Sequence, residues 1–233
     1  MKNDFEYKTF LFISVEKLVL TVLSSNQKNL FKKELLIKDV SNELNLNIIN
    51  DFLNKNIFEV EKFLNSFVNN IFLIIDYKDF FSIEVSLKKN NYGEIFDFDD
   101  LSNLLREAKD QCKKTLENQQ IVHMKIENYI FDETSYSYLP KNLHCNYISL
   151  DINFICISKS LILDLEKILK NYQISVNKVI SYGYLANFLN SESDDIFHMG
   201  EKILNGYNKN EVLLVNKTHE NKGFFEKFFN FFS

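Results

Sequence analysis

The stretch Tyr147-Ile-Ser-Leu-Asp-Ile-Asn-Phe-Ile-Cys-Ile157 reads as one long strand, and its neighbours decide what kind of unit it belongs to. Upstream, across a loop that holds Pro140, lies another strand from Ile121 to Ile130. Downstream, Leu161 to Tyr172 is apolar at helical spacing. Earlier in the chain Phe81 to Leu87 alternates as a strand, and Asp97-Phe-Asp-Asp100 opens a helix that runs to about Thr115, with Asp97 placed to cap it and Asp100 three positions on. The order over residues 81–173 is therefore strand, helix, strand, strand, helix.

Outward from that unit the pattern changes. Tyr7 to Val15, Leu18 to Leu23 and Leu30 to Ile37 are rich in Phe, Ile, Val and Leu, with Ser24-Ser25-Asn26 as a turn, and predict a three-stranded meander. From Ile48 to Val68 the residues Ile49, Leu53, Ile57, Val60, Leu64 and Phe67 recur at helical spacing, and Asn69-Asn70 ends the run before the strand Ile71-Phe-Leu-Ile-Ile75. On the far side come a strand from Ile174 to Ser181 and a short helix around Tyr184 to Leu189. The acidic Ser191-Glu-Ser-Asp-Asp195 reads as a linker or as the cap of a helix running through Ile203, and Asn210 to Asn216 as an added edge strand or a partner-binding one.

Three runs together resemble the inserted subdomain of the bacterial cell-division protein FtsA: Asp99-Asp-Leu-Ser-Asn-Leu-Leu-Arg-Glu-Ala-Lys109, Ile121-Val-His-Met-Lys-Ile-Glu-Asn-Tyr-Ile-Phe-Asp132, and Leu139-Pro140 ahead of Tyr147 to Ile157. Leu165-Glu-Lys-Ile-Leu-Lys-Asn-Tyr-Gln-Ile-Ser-Val-Asn-Lys-Val-Ile180 is similar to the helix and return strand that rejoin that family's first domain. The resemblance spans about residues 5–190, and order and spacing carry it more than any one motif. It implies an α+β chain: half of an actin-like, ribonuclease H-like fold (residues 5–80 and 174–190), an inserted interaction subdomain (81–173), a linker with a possible helix and edge strand (191–222), and a C-terminal amphipathic helix (223–233).

The same family binds nucleotide between two actin-like domains, and the departures of this chain from the family's pattern imply that the binding has been lost. The family's opening Asp-Ile-Gly-Thr/Ser turn approaches phosphate with its backbone and organises a metal with its carboxylate; this chain offers Phe12-Ile13-Ser14-Val15 instead. The second phosphate loop and second domain have no counterpart, and Gly93, Gly183, Gly200, Gly206 and Gly223 are too scattered for a glycine-rich cradle. The expectation is a protein without cofactor and without catalysis.

The last residues, Gly223-Phe-Phe-Glu-Lys-Phe-Phe-Asn-Phe-Phe-Ser233, form an amphipathic pattern of their own. At about 100° per residue, Phe224, Phe225, Phe228, Phe229, Phe231 and Phe232 fall within an arc of roughly 160°. Phenylalanine chemistry alone allows packing on protein or insertion into a membrane interface. A tail of similar position and character ends the FtsA family, which implies the membrane. Lys222 and Lys227 are nearly offset by Glu226, so insertion outweighs attraction to anionic lipid.

Composition narrows the rest. A net charge of -5, with lysines interleaved among Asp and Glu, argues against nucleic acid. Cys112, Cys145 and Cys156 are odd in number and fit a reducing compartment, and Met1 to Lys8 does not resemble a secretory signal. His144, Cys145, Cys156 and His123 match no common zinc spacing, and adjacent strand residues such as His144 and Cys145 point oppositely. Capping explains the acidic groups Asp97, Asp99 and Asp100 and Asp194 and Asp195. The reading as a whole is a non-enzymatic adaptor of the division machinery, cytoplasmic and peripheral on the inner face of the membrane, holding other division proteins, a second copy or a complete FtsA. A pilus-assembly-type actin-like adaptor, or an ATP-binding protein with unorthodox loops, is the alternative.

Overall fold

In the computed structural model, which describes residues 7–26, 28–38, 41–190 and 195–213, the chain opens with strands β1 (Tyr7–Ile13), β2 (Lys17–Ser24) and β3 (Asn29–Leu36). Helix α1 (Leu46–Leu64) and strand β4 (Asn70–Ile75) follow. Next come β5 (Phe81–Asn90), α2 (Phe98–Thr115), β6 (Gln119–Phe131), β7 (Thr134–Tyr136) and β8 (Tyr147–Ser158). Helix α3 (Lys159–Lys170), strand β9 (Ser175–Ser181) and helices α4 (Tyr182–Ala186) and α5 (Ile196–Leu204) complete the order.

Near-continuous apolar runs make strands buried on both faces, and β1, β2 and β4 are of that kind. They lie inside a five-stranded sheet of order β3-β2-β1-β4-β9, in which the first three strands are antiparallel and β4 and β9 run parallel to β1. On one face pack α1, through Ile49, Phe52, Leu53, Ile57 and Val60, and α3, through Ile162, Leu165 and Leu169. The other face buries Phe10, Phe72, Ile74 and Ile180 under Tyr184, Leu185, Phe197 and Ile203 of α4 and α5. Gly200 lets α5 approach closely: a Cβ there would stand 3.2 Å from Ile74 Cδ1 and 3.5 Å from Phe10 Cε1, and the Ile74 side chain would have to shift to admit it.

Between β4 and α3 the chain leaves this sheet and builds another. β5, β8, β6 and β7 form an antiparallel sheet in that order, with α2 packing Leu101, Leu104, Ala108 and Cys112 on one face. The meander, the two parallel strands, the helices on both faces and the insert before the last crossover make this an α+β chain with half of an actin-like, ribonuclease H-like fold.

Several details differ from the sequence reading. The helical spacing carries α1 to Val68 with Phe67 on its apolar face. In the structure Asn65 takes a left-handed conformation at φ 51°, its N–H bonds back to the Glu61 and Lys62 carbonyls, and Phe67 is left 76% exposed beyond the cap. Helix α3 follows the insert's last strand without a loop, yet its apolar face turns to the five-stranded sheet beside α1. Strand β7 was not expected: a two-residue turn of Asp132 (φ 43°) and Glu133 (φ 75°) starts it, without the glycine that usually advertises such hairpins. Of the two readings of the segment ahead of Ile203, linker or capped helix, the structure has the helix: α5 is a core element, capped by Asp195, whose carboxylate accepts from the Phe197 and His198 N–H groups.

Candidate functional site

The first place to look is the carboxyl end of the parallel strands β1, β4 and β9, where an open α/β-type sheet holds its ligands. Here the β1–β2 turn is closed on itself. The Ser14 N–H donates to the Lys17 carbonyl at 2.9 Å, and the Ser14 hydroxyl accepts from the Glu16 and Lys17 N–H groups at 3.3 and 2.9 Å. Three amides that would have to face a phosphate are thus bonded within the turn. Phe12 is buried in the α4/α5 core, edge-on to Tyr182 at 5.7 Å, with the Lys17 ammonium 5.5 Å from its ring centroid. Beside the turn stands Asp76, whose N–H bonds to the Ile13 carbonyl. Burial, and then the neighbouring Glu16 carboxylate, push the Asp76 carboxyl above its usual range. A carboxylate that disfavours the charge of Asp76 disfavours a phosphate more.

The second place is the distal loop of the insert. Asn91, Tyr92 and Gly93 donate their N–H groups to the Asn146 and Cys145 carbonyls, Cys145 donates to Glu94, and Phe96 donates to Leu143. Asn91 is buried and donates to the Glu94 carbonyl and the Cys145 Sγ. Asp132 accepts from the Asn146 and Tyr147 N–H groups at 2.9 Å, which hold its carboxyl below the usual range. On this fastened loop Tyr92 adopts φ 54°, a left-handed value uncommon for an aromatic residue, and stands 83% exposed; Ile95 and Phe98, a few positions on, are exposed as well. A stiff loop presenting apolar side chains is a surface suited to another protein.

The third place is the junction of the two sheets. His123 on β6 and Glu211 are both buried, with Nδ1 and Oε1 2.8 Å apart. The His123 Nε2 accepts the Ser181 N–H at 3.0 Å, so the ring is neutral and its proton sits on Nδ1, donated to Glu211. Burial pushes the imidazole below its ordinary value, in keeping with that tautomer. Burial alone would raise Glu211. The bond from His123, the Lys178 ammonium at 3.5 Å and the Tyr184 hydroxyl at 2.8 Å together hold it below the usual carboxylate range. Asn208 in turn donates to the Tyr184 hydroxyl at 2.9 Å. Around this pair the backbone pairs too: Ile126 N–H to Asn210 O and Val212 N–H to Met124 O, which lays residues 210–212 along the open edge of β6.

The edge-strand reading of Asn210 to Asn216 therefore holds for its described part. Tyr184, at the start of the short helix read around Tyr184 to Leu189, packs at 4.1 Å from the His123 ring and also anchors the carboxylate. Glu211 was missed. Its one signal was an acid heading the apolar run Val-Leu-Leu-Val, and only the fold brings His123, 88 positions away, to meet it. His144 is exposed and Cys145 buried, both in the segment ahead of β8. Cys156 and Cys112 neighbour each other in the insert core, and burial pushes the Cys156 thiol up to about 12. No group of three or more His, Cys, Asp and Glu is placed to hold a metal among the described residues. No helix among them is long and apolar enough to cross a membrane. Phe224, Phe225, Phe228, Phe229, Phe231, Phe232, Lys222 and Lys227 lie outside the described residues.

By its own strand order and crossovers, then, the chain is a half actin-like domain with an insert. No family model matches it, and no curated protein does. Among solved structures it is similar to the cytoplasmic domain of EpsL, an inner-membrane component of the type II secretion system of Vibrio cholerae, at 11% identity over 80% of this chain and 61% of that one, with a TM-score of 0.37. It is similar to the PilM-PilN type IV pilus biogenesis complex at 7% identity over 78% and 49%, with a TM-score of 0.46. A Bacteroides thetaiotaomicron protein of actin-like ATPase fold and unknown function matches at 18% identity over 81% and 59%, with a TM-score of 0.32. The chain spans about half to three fifths of the length of these structures, and they carry no activity, ligand or partner over to it.

Proposed function

We propose that this chain is a non-enzymatic, membrane-associated adaptor of the bacterial division machinery, related to FtsA in plan and stripped of its nucleotide apparatus. The observation that carries the reading is the β1–β2 turn. Its Ser14, Glu16 and Lys17 amides are bonded internally, Phe12 is in the core where a metal-organising carboxylate belongs, and Glu16 and Asp76 make the neighbourhood acidic. What is left for function is surface: the insert as the protein-binding module, and the phenylalanine tail as a reversible hold on the inner face of the membrane. Several copies held together would bind through effective concentration where one tail would not.

The support for division in particular is the resemblance of residues 99–109, 121–132 and 147–157 to the family's inserted subdomain. Titration of the purified full chain with ATP and Mg²⁺, followed by calorimetry, is expected to show no binding up to millimolar nucleotide; binding at micromolar levels overturns the non-enzymatic reading. Capture of the tagged chain from cells is expected to recover division proteins. Recovery of pilus-assembly components instead would keep the adaptor and replace its machine. A fusion of residues 217–233 to a dimeric fluorescent protein is expected at the cell periphery, and a uniform cytosolic signal removes the membrane role.

A further inference from the structure

The two sheets end in four edges, and three of them are blunted. β3 has its charges engaged, Lys32 with Glu34 at 3.6 Å and Lys33 with Glu59 on α1 at 2.7 Å, and its ladder with β2 shifts register at Val22/Leu23. β9 has its end against β6 through the Ser181–His123 bond, and β7 has three residues. β5 differs from all of these. Its ten residues pair with β8 in unbroken register from Phe81 opposite Cys156 to Asn90 opposite Tyr147, contain no proline, and carry no further strand on the other side among the described residues.

The free edge is also patterned. Ser82, Glu84, Ser86 and Lys88 are exposed on the outward face, while Ile83, Val85 and Leu87 are half-buried on the α2 side. Glu84 makes no ion pair among the described residues, nor does Lys88, whose ammonium lies 3.6 Å from the Tyr147 ring centroid. Antiparallel pairing with a second copy keeps like faces together only when the two-fold axis passes through a residue, because side chains alternate. Centred on Val85, Glu84 meets Ser86; centred on Leu87, it meets Asn90 and Val85 meets Lys89. Centred on Ser86, Ile83 faces Lys89 and Ser82 faces Asn90, but Val85 faces Leu87 twice and, alone of the three registers, Glu84 faces Lys88, twice by symmetry.

We propose that β5 is a self-association edge, at which two copies of this chain pair antiparallel about Ser86 and join their four-stranded sheets into one of eight. The axis stands normal to the sheet, so both α2 helices lie on one side and the exposed polar faces on the other. This inference is independent of the division reading and of the nucleotide turn.

Sedimentation equilibrium of the full chain tests it. The wild type is expected to be dimeric at micromolar concentration. Glu84→Lys and Lys88→Glu each turn two attractive cross-strand pairs into repulsive ones and are expected to weaken dimerisation about tenfold or more. An equimolar mixture of the two variants is expected to recover dimer, as a heterodimer, because every substituted position then faces an opposite charge. Circular dichroism checks that both variants, altered only at exposed sites, keep the fold. A wild type that stays monomeric to hundreds of micromolar, association indifferent to both substitutions, or a mixture no tighter than its components each overturns the proposal.

Discussion

Among the described residues the five-stranded sheet is covered on both faces and the four-stranded sheet on one, and the two differ in what they leave exposed. Helices α1 and α3 bury one face of the first sheet and α4 and α5 the other, so β1 and β4 have no outward side chains to spare. The insert's sheet has only α2, and its second face carries Ser86, Asp151 and Asn128, joined by hydrogen bonds of 2.6 and 3.1 Å. Packing is concentrated in the first sheet, and exposed surface is left on the second. The first sheet is a platform and the second is what it displays.

The largest effect expected from this contrast is at Phe10, fully buried between β4 and α5. Phe10→Ala should cost about 4 kcal/mol and lower the urea midpoint accordingly; a change below about 1 kcal/mol would mean that the α5 face is not a true core. Next is the joint between the two regions. His123→Ala leaves the Glu211 carboxylate buried with fewer donors and should cost about 3 kcal/mol, whereas Glu211→Gln, which keeps a hydrogen-bonding side chain, should cost less. Hydrogen exchange at residues 210–212 would report the same event locally, with protection falling in both variants and most in the first.

Acid should open that joint as well. His123 is neutral in the fold and lies below its ordinary 6.5, so the unfolded chain binds its proton first and stability falls as pH drops below about 6.5. Glu211 is held below its ordinary 4.5, so its share of stability is present above that value and lost as pH falls further. Unfolding free energy should therefore decline from pH 6.5 downwards, with a shallower decline at the upper end in a His123→Gln variant. The smallest effect belongs to the displayed face: Asn128→Ala removes a partly exposed bond to Asp151 and should change stability by less than about 1 kcal/mol.

How far the chain could be read in advance follows the same division. Continuous apolar runs such as Ile71 to Ile75 and the alternation of Phe81 to Leu87 were legible because burial on two faces or one leaves a period in the residues themselves. The Asp97 cap was legible for the same local reason. The partner chosen by an apolar face was not: α3 is amphipathic in either setting, and only packing decides that Ile162 and Leu165 meet the first sheet. Nor was the end of α1, which rests on one asparagine entering the left-handed region while Phe67 keeps the helical spacing. The buried pair of His123 and Glu211 left almost no trace, since each residue alone looks like an ordinary polar interruption and the complementarity exists only after folding.

Residues 210–212 join β6 by a few backbone bonds, with Glu211 wedged beneath. Considered mechanically, this is where tension from the chain's far end would enter the body. A pull exerted at Leu213 would be shared by the insert, through β6, and by the platform, through Lys178 and Tyr184, before either sheet deformed alone. Under such a pull the carboxylate would act as a strain-relief clamp, keeping one half of the protein from peeling away from the other.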